Sequence, residues 1–209
     1  VKINESYFPD AIFRQYIADN FDKDGNGVLS AEEIAAVTEL NIDACGISDL
    51  TGIEYFTDLA FLNCNKNNLT ALDVSNNTAL LELYCTNNKL STLDLSNNKV
   101  LRNFWCDFNN LTSLDVSNNI ELEDLYCTNN QLASINVSNN RVLEDLHCND
   151  NQLEIIDVSS CPALTRFECN SNQLTSLDAS DCIALNELSC NHNQLTSLNV
   201  NNSTALAKI

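Results

Sequence analysis

The chain of 209 residues has few prolines, glycines and basic residues, and it has no long apolar run. It contains two prolines, four glycines and no methionine. Without an apolar stretch of about 20 residues, a transmembrane helix is excluded. Ten basic residues face 29 acidic ones, for a net charge of −19, which argues against nucleic acid and anionic membranes as partners because both would repel the chain. No signal peptide precedes Val1, so we expect a mature or trimmed start.

The dominant feature that the sequence does have is a motif that recurs about every 21 residues, a period typical of stacked repeats. The copy at 78–98 reads TALLELYCTNNKLSTLDLSNN. Its repeated skeleton is Leu80, Leu83, Cys85, Asn88, Leu90, Leu93 and Leu95. Seven regular copies, called coils 1 to 7 below, occupy 57–77, 78–98, 99–119, 120–140, 141–161, 162–182 and 183–203, and 204–209 begins another. Because so short a copy cannot hold a strand, an α-helix and two turns, each should be a flat coil whose strand pairs in parallel with its neighbours.

Two repeating positions carry polar or thiol side chains that should point into the stack. An inward amide at each bend can satisfy backbone groups that burial would otherwise leave unpaired. These amides are Asn67, Asn88, Asn109, Asn130, Asn151, Asn172 and Asn193. The inward cysteines are Cys64, Cys85, Cys106, Cys127, Cys148, Cys169 and Cys190. Strand spacing exceeds the separation that a disulfide prefers, so free thiols are favoured over disulfides or a metal site. Cys161 and Cys182 lie at a coil corner, and the sequence leaves open whether they form a disulfide.

The motif L-x-x-L-x-C-x-x-N-x-L-x-x-L-D-V-S-x-N resembles the bacterial leucine-rich repeats of the internalin family, in its class with a cysteine in the strand. The resemblance covers about 150 residues. It implies an α/β-type, mostly β, leucine-rich repeat solenoid: a right-handed, curved stack of coils with a concave parallel sheet and a helical N-terminal cap. It also implies adhesion or protein recognition at a bacterial surface. A first, irregular repeat, which contains Leu40, Ile42 and Cys45, joins the cap (1–38) to the repeat domain (39–209).

The segment 1–38 predicts two short helices around a calcium-binding loop. Pro9 should open the first helix with Asp10 in its first turn, and its apolar stripe comprises Ile12, Phe13, Tyr16, Ile17 and Phe21. The second helix is expected at 30–38, with Ser30 as its N-cap.

The segment 22–33 between the helices fits the twelve-residue EF-hand pattern. Gly27 allows the sharp turn, and the expected Ca²⁺ ligands are Asp22, Asp24, Asn26, the carbonyl of Val28, Ser30 and Glu33. EF-hands usually pair and only one is present, so we expect a structural clip; the alternative is a turn that binds no metal.

Outward strand positions predict the binding surface, because the fold leaves them free to vary. The middle outward position carries Tyr84, Trp105, Tyr126 and His147 in consecutive coils, flanked by carboxylates. Exposed aromatic residues in a row are typical of recognition surfaces, although stacking across strands can also simply stabilise a sheet. The predicted ligand-binding residues are Phe61, Tyr84, Trp105, Asp107, Phe108, Asp124, Tyr126, Asp145 and His147. The carboxylates favour a protein ligand with basic segments; a carbohydrate stacked on Trp105 is the alternative.

A hydrolase is the third class considered, and we expect none. His147 has no nucleophile beside it, because Cys148 should point inward, and the many surface carboxylates do not single out an acid and a base. The chain is therefore expected to be a non-enzymatic module, extracellular and either secreted or held at the cell surface. The sequence shows no pattern typical of a C-terminal cap. An end-to-end dimer through that end is therefore one expected outcome, and the sequence does not decide the oligomeric state.

Overall fold

The computed structural model describes all residues, 1–209, and shows a stack of parallel coils. The strands are β1 (Glu39–Asn41), β2 (Phe61–Asn63), β3 (Glu82–Tyr84), β4 (Asn103–Trp105), β5 (Ser113–Asp115), β6 (Asp124–Tyr126), β7 (Ser134–Asn136), β8 (Asp145–His147), β9 (Arg166–Glu168), β10 (Ser176–Asp178), β11 (Glu187–Ser189) and β12 (Ser197–Asn199). Eight of them form one sheet in the order β1-β2-β3-β4-β6-β8-β9-β11. Every pair in this main sheet is parallel, which confirms the predicted mostly-β solenoid.

The main sheet keeps equivalent residues of successive coils side by side. Tyr84 pairs with Trp105, and Trp105 pairs with Tyr126, without any slip in register. In coil 2 the hydrogen-bonded residues of the strand are Glu82–Tyr84. Cys85 directly follows the strand and still faces the core, where it is fully buried.

A single apolar core runs through the stack, and the cysteine row lies within it. Six of the seven thiols in this row are buried, and Cys190 in coil 7 is half-buried. All ten cysteines are free. Burial raises the pKa of the Cys64 thiol to about 12 and the pKa of Cys85 well above its ordinary value. These thiols therefore stay protonated and behave as small apolar side chains.

The predicted asparagine row closes the bend after each main-sheet strand. In coil 2 the Nδ2 of Asn88 donates to the carbonyls of Cys64 (2.9 Å) and Cys85 (3.0 Å), while its Oδ1 accepts the N–H of Leu69 (3.0 Å). The same three contacts recur at Asn109 and in the later coils. Each amide thus ties two coils together and pairs three backbone groups at the bend.

A second row of buried asparagines closes the opposite corner, and the sequence interpretation missed it as a row. Asn98 donates to the carbonyls of Val74 (3.0 Å) and Asn77 (2.9 Å), and the pattern repeats at Asn119 and Asn140. Cys161 and Cys182 take the next two places in this row. They are free thiols rather than a disulfide, and each is oriented toward one carbonyl, that of Val137 (3.7 Å) and Val158 (3.5 Å).

The face opposite the main sheet pairs its strands at only two intervals, β5 with β7 and β10 with β12. At both intervals an aspartate faces an asparagine, as at Asp178 and Asn199. Of the four intervals without strand pairing, three place aspartate next to aspartate, as at Asp73 and Asp94, where like charges disfavour close approach; the fourth places Asn136 next to Asp157. Continuous hydrogen bonding on one side and interrupted bonding on the other are consistent with a curved stack whose main sheet lies on the inner side.

The N-terminal cap corrects three expectations about the helices. Helix α1 is Ala11–Phe21, and Asp10 is its N-cap, accepting the N–H of residues 12 and 13, so neither Pro9 nor Asp10 lies inside it. Ile12 is 47% exposed and does not belong to the buried stripe. Helix α2 is only Ala31–Ala35, because the N–H of Val37 bonds the carbonyl of Ile34 instead of continuing the helical pattern, and β1 begins at Glu39.

The cap packs against the irregular first repeat through a close contact of Phe8 with Gly52. Phe8 is fully buried, and a Cβ on Gly52 would lie 2.2 Å from its ring and 2.7 Å from the carbonyl oxygen of Tyr7. Gly52 has φ +107 and precedes the short 3-10 helix Ile53–Tyr55. No helix in the chain has the length and apolar character needed to span a membrane.

Candidate recognition face and calcium loop

The solvent-facing surface of the main sheet, called the ring face below, carries five rings in one continuous row of contacts, edge-on between Phe61 and Tyr84 and stacked between Trp105 and Tyr126. Ring centroids lie 5.6 Å apart for Phe61 and Tyr84, 4.5 Å for Tyr84 and Trp105, 5.1 Å for Trp105 and Tyr126, and 4.3 Å for Tyr126 and His147. The last four occupy the same strand position in coils 2 to 5, and Phe61 reaches the stack from the preceding outward position of coil 1. The structure therefore brings together the predicted row.

The stack hides the faces of its central rings and presents their edges. Tyr84 and Tyr126 lie on opposite sides of Trp105, at interplanar angles of 32° and 18°. A ring that is covered on both faces cannot stack on a sugar or receive a cation over its π-system. Only the ring edges and polar atoms remain for a ligand.

Two glutamates contact rings of the row, one at Tyr84 and one beyond the last ring, His147, and the sequence interpretation did not select them. The hydroxyl of Tyr84 donates to Glu82 on the same strand. At the other end the Nδ1 of His147 lies 3.5 Å from an oxygen of Glu168, which also accepts from Asn149 at 2.9 Å. Burial lowers the pKa of His147 below its ordinary value, while Glu168 opposes that shift. The alternation of strand side chains could have identified Glu82, since it lies two residues before Tyr84.

The outward position after the rings forms a third row of hydrogen bonds between coils. The side-chain oxygens of Asn65, Asn149 and Asn170 each accept a backbone N–H from the next coil. An oxygen of Asp107 likewise accepts the backbone N–H of Thr128, at 2.7 Å. Burial raises the pKa of Asp107 to about 6, because desolvation outweighs the hydrogen bond from Thr128.

The outward position before the rings carries a pair of carboxylates without a counter-ion. Asp124 and Asp145 are direct partners on β6 and β8, and both are half-buried. Burial, followed by repulsion from Asp145, raises the pKa of Asp124. Arg166 comes next in this row, but its Nε binds Glu187 at 2.9 Å and forms no ion pair with Asp145.

Phe108 lies outside the ring stack, in the turn that follows β4. Its backbone is left-handed, with φ 53, and its side chain is 52% exposed. The equivalent residues of the other coils are polar and tolerate this conformation more easily: Lys66, Asn87, Asn129, Asp150, Ser171 and His192. The structure thus places Phe108 at the margin of the ring face rather than against Trp105.

The predicted calcium loop, residues 22–33, brings three of its expected ligands together. Carboxylate oxygens of Asp22, Asp24 and Glu33 all lie within 4.8 Å of one another. Glu33 accepts the N–H of Ser30 (2.8 Å) and Lys23 (2.7 Å), and these bonds lower its pKa.

The rest of the loop is held by bonds between its own groups. The Oδ1 of Asn26 accepts the N–H of Val28, and its Nδ2 donates to Asp24. Gly27 has φ +77, as the sharp turn requires, and Leu29 is buried beneath the loop. The donor set consists of oxygen atoms alone, which suits Ca²⁺.

Comparison with known proteins identifies the repeat type. No protein-family model matches the chain. Internalin J from two Listeria monocytogenes strains is 40% identical over 72 residues, or 34% of this chain and 8% of each internalin J sequence. A solved functional domain of InlJ from Listeria monocytogenes, which includes a cysteine ladder, superimposes with a TM-score of 0.91 at 39% identity over 98% of this chain. These coils are internalin-type leucine-rich repeats.

The internalin-type repeats extend over nearly the whole chain, but they cover only part of the relatives. The chain spans 46% of the solved InlJ chain. Internalin C2 of Listeria monocytogenes has the same fold, with a TM-score of 0.79 and 21% identity over 97% of this chain and 92% of its own length. The likeness to internalin C2 therefore concerns the fold alone, whereas the likeness to internalin J extends to the cysteine row.

Proposed function

We propose that the chain is a non-enzymatic recognition module that binds a protein ligand on its ring face and acts in adhesion. The similarity to internalin J supports a bacterial module that is secreted or held at the cell surface. The observation that carries the proposal is the row of five rings across five neighbouring coils. Aromatic residues supply much of the binding energy in protein interfaces.

The alternative is that the rings stabilise the sheet and nothing more. Two features favour binding over that alternative. The indole N–H of Trp105 is enclosed without an acceptor, a cost of roughly 1–3 kcal/mol that a phenylalanine in the same stack would avoid. Phe108 adds a half-exposed apolar ring, in an unfavourable backbone conformation, at the margin of the same face. Neither feature is needed for coil stacking.

A carbohydrate ligand has weaker support than a protein ligand. Sugars commonly pack on the open face of an aromatic ring, and both faces of Trp105 are covered by its neighbours. The ring edges and the surrounding carboxylates instead suit the mixed apolar and basic surface of a protein.

The experiment that tests the proposal compares binding partners of the wild type and of a Trp105→Ala/Tyr126→Ala variant. Both are applied to an array of extracellular proteins and to a glycan array. We expect the wild type to bind proteins that the double variant no longer binds. Neither protein should bind any glycan on the array. A set of binders that the double variant retains in full would contradict binding at the ring face.

We further propose that Ca²⁺ occupies the loop of the cap as a structural clip. Asp22, Asp24, Asn26, Ser30 and Glu33, with the carbonyl of Val28, would hold it. The ion would neutralise three carboxylates that already lie close together. Because α1 ends just before this loop and α2 follows it, neutralisation would stabilise the connection between the two helices.

The calcium proposal predicts a stability difference between chelated and Ca²⁺-saturated protein. An excess of about 100 times the dissociation constant should add about 2.7 kcal/mol to the free energy of unfolding. Glu33→Gln should abolish the gain while keeping the N-terminal capping bonds of α2, because glutamine can make them as well. Glu32→Gln, an exposed neighbour outside the ligand set, is the matched control. Equal melting temperatures with and without Ca²⁺ would disprove the clip.

A further inference from the structure

The partner's chemistry can be inferred from the rows on either side of the rings. We propose that the partner docks across coils 3 to 5 as an extended segment. One basic side chain lies between Asp124 and Asp145, and one apolar side chain lies against Phe108. This inference rests on the proposed function and deepens it, because it names what the ring face recognises.

The carboxylate pair is the first support. Asp124 and Asp145 are adjacent on parallel strands, about 4.8 Å apart, and like charges directly opposite each other destabilise a sheet. Neither forms an ion pair within the chain, and Asp145 receives only a hydroxyl hydrogen bond from Thr165 at 3.4 Å. A cationic side chain between them would relieve the repulsion.

Three basic residues that border the main sheet form ion pairs with glutamates. Arg102 pairs with Glu121 and Glu123, at 3.3 and 3.6 Å. Arg166 and Lys208 both bind Glu187. Arg166 lies beside Asp145 in the sheet and attracts it without forming an ion pair, so the two carboxylates can still receive a cation that the partner brings.

The ring stack directs the cation to the carboxylates rather than to the rings. Aromatic edges carry partial positive charge, and only the faces attract cations. Trp105 and Tyr126 present edges, since their faces cover each other. A basic side chain is thus repelled from the ring row and attracted two residues back along the strand, where Asp124 precedes Tyr126.

Phe108 provides the apolar contact on the far side of the rings. It lies in the turn after β4, whereas the carboxylates belong to the position before the rings. At about 3.3 Å per residue along a strand, these positions are roughly 10–15 Å apart. An extended segment covers that distance in about three to five residues, which sets the spacing between its basic and apolar side chains.

The test selects peptides from a random library displayed on phage against the wild-type protein. We expect enriched sequences to carry Lys or Arg about three to five residues from an apolar residue. The affinities of the selected peptides are then measured on Asp124→Asn/Asp145→Asn and on Phe108→Asn. Each variant should weaken binding roughly tenfold or more. Replacing the selected arginine by citrulline should cost a similar factor on the wild type and nothing on the aspartate double variant.

The chain offers matched controls for both variants. Asparagine already occupies the carboxylate row at Asn103 and the turn position at Asn87 and Asn129, so the substitutions are compatible with the fold. Asp73→Asn/Asp94→Asn removes the same charge from the opposite face, where Asn136 and Asn199 show that asparagine fits. This control should leave the affinity unchanged.

The outcomes separate the two proposals. Peptides that need Phe108 but bind the Asp124/Asp145 double variant as tightly as the wild type overturn the inferred basic contact and leave binding at the ring face intact. Peptides that bind both variants like the wild type overturn the ring face as the site, and the inference with it. A selection that enriches no sequence has the same consequence.

Discussion

At the scale of single residues, several positions carry side chains that the stack itself does not favour. Phe108 adopts a left-handed conformation that asparagine tolerates better, and the Asp107 carboxylate is half-buried in a row where asparagine would serve. The enclosed N–H of Trp105 belongs to the same coil. Coil 3 thus concentrates the costs, as expected where a surface is shaped for a ligand rather than for stability.

Phe108→Asn should leave the stability of the free protein unchanged or raise it by about 0.5–1 kcal/mol. The reason is that asparagine accepts φ near 53 more easily, while a half-exposed phenylalanine contributes little burial. Urea denaturation measures the difference. Asn109→Ala, one residue further on, is the contrasting variant and should destabilise, since it removes bonds that join two coils. A large loss of stability in Phe108→Asn would show that the ring serves packing.

Asp107→Asn should stabilise the protein at about pH 7 and have little effect near pH 4. The folded-state pKa of Asp107, about 6, lies above its unfolded value, so ionisation is disfavoured in the fold and wild-type stability falls as the pH rises from about 4 through 6. The variant lacks this loss and should gain about 1–2 kcal/mol at neutral pH, after allowance for solvent screening. Urea titrations at both pH values give the difference, and an equal effect at the two would refute the buried carboxylate as its cause.

At the scale of elements, each coil is held by buried amides at two corners and by the main-sheet strands. The corner at Asn98 uses two donated bonds, and Cys161 and Cys182 replace such an amide with a single weak thiol contact. The cap joins this system differently, through Phe8 packed on Gly52. The junction between cap and coils therefore requires glycine at position 52, because a Cβ there would overlap Phe8.

Gly52→Ala should lower the free energy of unfolding by about 2–4 kcal/mol. The added Cβ would overlap Phe8 and the carbonyl of Tyr7, and alanine is strained at φ +107. Gly46→Ala is the matched control, since it shares a positive φ of +79 but its Cβ would meet nothing closer than 3.9 Å. Thermal unfolding of both variants separates overlap from backbone strain. Equal losses in the two would mean that strain alone matters.

Sequence reasoning recovered the elements that depend on the repeat period, and it failed where neighbouring coils decide. The period fixed the register of Tyr84, Trp105 and Tyr126 and the inward direction of the cysteines, because both follow from alternation along a strand. It extended α2 too far, since β1 begins at Glu39 to pair with β2 of the next coil. The sequence also did not predict that Tyr84 and Tyr126 cover both sides of the Trp105 ring, because the tilt of a side chain is set by packing between coils.

At the scale of the whole molecule, negative charge accumulates along the stack. The net charge is −19, and register places carboxylates of neighbouring coils beside one another on both faces. Asp73 and Asp94 of neighbouring coils repel each other on the face opposite the main sheet, as Asp124 and Asp145 do on the ring face. The core and the hydrogen-bonded corners hold together a molecule whose surface opposes compaction.

Added salt should therefore raise the melting temperature of the chelated protein. Screening shortens the reach of surface charges from about 30 Å at 0.01 M to about 8 Å at 0.15 M. We expect a rise of a few degrees that is nearly complete by about 0.2 M NaCl, because screening saturates while general salt effects keep growing linearly. Thermal scans in a series of NaCl concentrations with a chelator measure it. A flat response would mean that the carboxylates do not repel in the folded state.

The exact register has an evolutionary consequence. Recombination between two copies can remove or insert one whole coil while every remaining amide still meets an equivalent carbonyl. Excision of 99–119 would bring Tyr84 directly beside Tyr126 and delete Trp105, Asp107 and Phe108 in a single genetic event. A lineage could thus exchange its specificity in whole modules, with the scaffold inherited intact.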